Sequence, residues 1–155
     1  MNTDPPKLPG VQPLHPARAD FEAMRLPPGA LDHRGLLVLG VQYLLEYPEP
    51  VAIDRLLTAL MRYQANLADL PGRARYHETR TLFWLRITRG CVAEVERRLG
   101  TRVPAEVATC VLERWGDRAD YIEEFYSPRC LRQWQAVYGW VEPDRAPLPA
   151  ADQQP

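Results

Sequence analysis

Apolar positions along the chain recur at spacings of three and four, which marks helices buried on one side. No stretch of strand length alternates at period two. The first run, Asp32 to Tyr47, sets Leu37, Val41, Leu44 and Leu45 on the helical period. Asp32 suits an N-cap and Pro48 stops the run. Apolar residues cover most of its surface, so the pattern predicts a central helix. A second helix is predicted from about Val51 to Asp69, opened by Pro50 and striped by Ile53, Leu56, Leu57, Leu60 and Leu67. Leu70-Pro71-Gly72-Arg73 reads as a turn. The third and longest helix runs from about His77 to Leu99, repeats Trp84, Ile87, Cys91, Val95 and Leu99, and stops at Gly100. Pro104 opens a fourth to Trp115, carrying Val107, Cys110 and Val111. Asp117 is the expected cap of a short helix to about Phe125. Ser127-Pro128 opens a final helix ending at Gly139, with Tyr126 and Leu131 placed for a hydrophobic staple.

Both ends break the pattern. Pro5, Pro6, Pro9, Pro13, Pro16, Pro27 and Pro28 exclude one helix through this stretch, although Asp20 to Leu26 leaves room for a turn. After Trp140 the chain reads as extended. The expected organisation is a proline-rich arm over residues 1–28, a helical domain over 29–141 and an extended tail over 142–155. The fold class is all-α: a compact bundle of five or six helices, with an extended N-terminal arm and C-terminal tail. Short connections favour antiparallel neighbours.

Composition narrows the partners. A chain of 155 residues buries enough surface to fold without metal or disulfide. Nineteen basic and 20 acidic residues give a net charge of −1, which removes any global pull toward nucleic acid or an anionic membrane. The longest apolar run, Gly35 to Val41, falls far short of the roughly 20 residues of a membrane span. No nucleic-acid or membrane partner is expected. Without a basic-then-apolar start, cytoplasmic residence is expected. Every basic residue but Lys7 is Arg. Such a bias suits either GC-rich coding or a local oxyanion site. Cys91, Cys110 and Cys130 form no C-x-x-C pair and read as reduced thiols.

The densest polar cluster is Tyr76-His77-Glu78-Thr79-Arg80-Thr81, at the start of the longest helix. His77, Thr81 and Trp84 share one face by helical spacing. His33 lies in the first turn of the first long helix, and side-by-side packing of the two helices would bring the histidines together. A helix N-terminus attracts anions and favours a neutral imidazole able to act as a base. The other reading is structural: a buried histidine ties helices together, and Glu78 in a first turn suits the helix dipole. Arg73, Arg75, Arg80, Arg86 and Arg89 form either a solvated basic face or a source of an anion clamp, with Arg80 or Arg34 best placed. A metal site from His33, His77 and Glu78 lacks the H-E-x-x-H spacing, because position 81 is Thr. Phosphate-loop, dinucleotide and G-x-S-x-G motifs are absent, and Ser127 reads as a cap. Trp115, Trp134 and Trp140, with Tyr121, Tyr126 and Tyr138, suit core packing or a partner surface.

Four segments carry a resemblance. Leu31-Asp32-His33-Arg34-Gly35-Leu36-Leu37 resembles an F-x-H-x-x-H-L segment. Tyr76-His77-Glu78-Thr79-Arg80-Thr81, followed by Phe83-Trp84, resembles YHET-x-T with its aromatic pair. Tyr126-Ser127-Pro128 with Leu131 resembles YSP-x-x-L, and Pro143-Asp144-Arg145 a closing PDR. In this order they resemble a family of small bacterial all-helical proteins, over roughly residues 30 to 149. The resemblance implies a functional His33/His77 pair and a link to natural-product biosynthesis. Leu36 stands where the pattern has a second histidine. If the family site is a metal site, that change removes a ligand and moves the expectation toward acid–base chemistry.

The expected function is a small enzyme, needing no cofactor, that performs elimination or intramolecular cyclisation on a small anionic substrate in a helical pocket. His77 is the expected general base or acid and His33 the second polar group. Glu78 would orient a histidine, Tyr76 and Thr81 would bond the substrate beside Trp84, and Arg34 or Arg80 would hold the anion. Two alternatives stay open. One is a non-catalytic partner docking on a pathway enzyme or on a second copy of itself. The other is a metal-binding helical domain.

Overall fold

A helix apolar on nearly every side has to be surrounded, and α2 (His33–Glu46) packs against α3 (Glu49–Asn66), α4 (Glu78–Leu99) and α5 (Pro104–Trp115). The computed structural model describes residues 14–27, 29–67 and 76–149. The turn expected at Leu70 to Arg73, the side chains of Arg73 and Arg75, and the outermost arm and tail residues lie outside these. Around the four long helices stand α1 (Arg18–Glu22), a 3₁₀-helix (Ala119–Glu124), α6 (Pro128–Leu131) and α7 (Trp134–Tyr138). Among the described residues there is no strand, and the fold is all-α. No helix among them is long and apolar enough to cross a membrane.

Local chemistry sets the helix ends. The Asp32 carboxylate accepts the Gly35 N–H at 2.8 Å and starts α2. Gly100 takes a left-handed φ of 72° and closes α4, its N–H donating to the Glu96 carbonyl at 2.8 Å. The Ser127 hydroxyl accepts the Cys130 N–H at 3.0 Å and starts α6. Tyr126 and Leu131, either side of this cap, are both buried in one apolar cluster. Gly40 lets α2 approach α4 closely, since a Cβ there would stand 3.2 Å from Leu85 Cδ2.

Two expected elements differ. The single final helix is two, because Gln133 is extended (ψ 142°) and separates α6 from α7. The break leaves the Leu131 carbonyl outside the helical ladder, where His77 takes it. Asp117 does not cap the 3₁₀-helix, which has no side-chain cap; its carboxylate meets Arg34 at 3.0 Å instead.

The described parts of the arm and the tail lie on the body. Phe21 is fully buried, and the Gln42 side chain accepts the Arg18 N–H at 2.9 Å while donating to the Pro16 carbonyl at 2.7 Å. Val141, Ala146 and Leu148 pack on the core. The Tyr126 hydroxyl donates to the Val141 carbonyl at 3.0 Å, and Arg145 N–H to the Phe125 carbonyl at 2.9 Å. The core forms two clusters. Phe83, Trp84, Trp115, Tyr121, Phe125 and Tyr126 fill the side of α4 toward α5. Leu39, Tyr43, Leu56, Leu60, Tyr63 and Leu85 fill the space among α2, α3 and α4.

Candidate binding pocket

The start of α4 is held by a histidine. His77 is its N-cap, extended at φ −151° and ψ 102°, and its Nδ1 accepts the Arg80 N–H at 3.3 Å. Its Nε2 lies 2.8 Å from the Leu131 carbonyl oxygen. A carbonyl only accepts, so Nε2 carries the proton and Nδ1 the lone pair. Burial pushes the His77 pKa down; the bond to Leu131 opposes this and the Arg80 charge adds to it. The ring is therefore a neutral imidazole with both nitrogens engaged. His33, the first residue of α2, is anchored in the same way. Its Nε2 donates to the Trp115 carbonyl at 2.8 Å, and its ring meets Trp84 edge-on at 4.5 Å between centroids. Among the described residues no hydrogen bond uses its Nδ1.

Between the start of α2, the last two turns of α3 and the first two turns of α4 lies a cavity of about 440 Å³. His33, Tyr76, His77, Arg80, Thr81 and Trp84 all line it. The histidines thus share one cavity, each bonded to a different backbone carbonyl rather than to the other. Thr81 spends its hydroxyl proton on the His77 carbonyl at 3.0 Å. Two of the expected site residues stand apart. Glu78 accepts the Tyr76 hydroxyl at 3.0 Å but does not line the cavity. Arg34 is exposed and paired with Asp117. Burial, together with the Glu78 carboxylate, pushes the Tyr76 phenol up, so it stays protonated.

Arg80 is half-buried, and among the described residues no carboxylate reaches it within ion-pair distance. Burial pushes its pKa down and the more distant Glu123 charge opposes this. Arg80 lines both this cavity and a second, open hollow of about 890 Å³. A half-buried fork of donors without an anionic partner is suited to binding one.

The hydrophobic pattern alone does not mark the opposite wall as a binding surface. Leu60, Tyr63, Gln64 and Leu67 of α3 and the residue after it line the cavity. They follow the spacing of one helix face, and Gln64 is the polar interruption that marks it. Its amide oxygen accepts the Tyr76 N–H. Among the described residues no three His, Cys, Asp or Glu side chains converge as metal ligands. Comparison of the chain with family models, with curated proteins and with solved structures gives no match. The segment resemblance therefore stands on its own residues.

Proposed function

We propose that the protein binds a small, largely apolar acid in this cavity and carries out acid–base chemistry on it without a cofactor, as elimination or intramolecular ring closure. One observation carries the reading: Arg80, which no carboxylate among the described residues reaches within ion-pair distance, shares a mostly apolar cavity with His33 and His77. The volume falls within the roughly 300–1,000 Å³ of small-molecule sites. Arg80 would hold the anion. With Nε2–H tied to Trp115, His33 offers Nδ1 as the basic nitrogen, so the base role passes from His77 to His33. His77 becomes a positioning residue that fixes the start of α4. The place in natural-product biosynthesis rests on the segment resemblance alone.

The test is an NMR titration of the His33 and His77 ring protons with octanoate, phosphate and sulfate. Octanoate should shift both rings in the wild type and neither in Arg80→Met. His33→Asn should retain octanoate binding. Wild-type rings silent to all three anions, or an Arg80→Met variant that responds as the wild type does, would overturn the reading.

A further inference from the structure

Arg80 stands at a boundary, not at the end of a blind pocket. Gln64, Tyr76, His77 and Arg80 face the inner cavity on one side and the open hollow on the other. A charge in that place meets the middle of any ligand long enough to use both spaces. The two spaces also differ in kind. Leu31, Leu36, Leu60 and Leu67 give the inner one an aliphatic lining. The outer one carries Trp134 and Tyr138, one turn apart on α7, with Met61 of α3 also on its wall. Trp134 is 69% exposed and Tyr138 70%, while Phe83, Trp84, Trp115 and Tyr126 are all buried. An exposed Trp–Tyr pair and a methionine offer flat, polarizable surface for a ring.

The geometry points to a two-armed acid as the ligand, with an aliphatic arm in the inner cavity, its carboxylate on Arg80, and an aromatic arm in the hollow walled by Met61, Trp134 and Tyr138. An acid charged at one end would leave one of the two spaces unused. N-acylated aromatic amino acids have the required order, because their carboxylate lies between the acyl chain and the ring. This inference rests on the anion-binding role of Arg80 proposed above.

Calorimetry on the full chain with octanoate and N-octanoyl-L-phenylalanine tests it. The two-armed probe should bind about tenfold more tightly than octanoate, the gain expected from one well-placed aromatic contact. The double variant Trp134→Ala, Tyr138→Ala should lose that gain and bind octanoate unchanged. Both side chains are mostly exposed, so its melting curve should stay near the wild type. Arg80→Met should weaken both probes. Equal affinity for the two probes, or a gain that survives the double variant, overturns the two-armed ligand and leaves the Arg80 site standing. Failure of both acids to bind the wild type overturns the site and this inference with it. A wild-type dimer that Trp134→Ala turns into a monomer would assign the aromatic pair to self-association and also overturn the inference.

Discussion

The two flanks of α4 are built to different rules. Toward α5 and the 3₁₀-helix, rings interlock edge-on and tilted, with Phe83 meeting Trp84 at 5.1 Å, Tyr121 at 6.1 Å and Phe125 at 5.7 Å. Toward α3 the helices enclose a cavity lined by leucines, two histidines and an arginine. Protein interiors are normally filled to crystal-like density, and an unfilled space forfeits dispersion contacts on its walls. A chain able to fill one flank with rings has kept a cavity on the other, beside the packed Leu39, Tyr43, Leu56 and Leu85, where its polar side chains gather. The ring-filled flank is packed throughout, and the α3 flank combines a packed cluster with the cavity in which the proposed ligand would sit.

Substitutions can break this contrast. Phe83→Ala on the filled flank should cost about 3–5 kcal/mol in urea denaturation, because the side chain is wholly enclosed. A loss well under that would deny the filled flank its role as the stabilising core. Enlarging a side chain should then separate the flanks. Val111→Phe, in the filled cluster, should cost about 1–3 kcal/mol by overpacking. Leu60→Phe should cost distinctly less, because the new ring enters existing space, and it should abolish octanoate binding. Equal penalties for the two would mean that the cavity is not available volume.

Acidification acts through His77. Its pKa in the fold lies below the ordinary 6.5. Below 6.5 the unfolded chain takes up the proton more readily than the folded one. The contribution of neutral His77 is therefore complete above 6.5 and is lost as the pH falls through the folded value. Urea midpoints from about pH 7.5 to about pH 5 should show this decline, and His77→Asn, which keeps a capping side chain, should flatten it. The smallest effect on stability belongs to Arg80→Met. A half-buried charge that meets no carboxylate among the described residues gains little from the fold, so the change should lie within about 0.5 kcal/mol of neutral, or be stabilising. A large loss would identify Arg80 as a structural residue and close the contrast from the open side.

What the amino-acid pattern reveals here follows the range of the interactions. Asp32, Gly100 and Ser127 end or begin helices through bonds to residues three or four positions away, and their roles were legible. So was the shared face of His77, Thr81 and Trp84, because helical spacing alone aligns them. The neighbours of the histidines misled for the same geometric reason. One step along a helix turns a side chain by about 100°. Arg34 and Glu78, each adjacent to a histidine in sequence, accordingly lie off the cavity. The α3 wall and the split of the last helix stayed hidden, since they depend on which elements meet. Gln64 gains its role only where Tyr76 comes beside it, and the Gln133 break has its counterpart in His77.

The attachments at the start of α4 also set an order of assembly. His77 finds its acceptor 54 residues later at Leu131, and the Thr79 hydroxyl finds its own 60 residues later at Gly139, 2.6 Å away. Closing loops of that length is entropically costly and slow compared with forming the helices themselves. As the chain leaves the ribosome, α2, α3 and α4 can coil and collide while the floor of the cavity is still unanchored. The cavity is thus among the last parts of the molecule to exist, and it is complete only after the segment through Gly139 has emerged and docked.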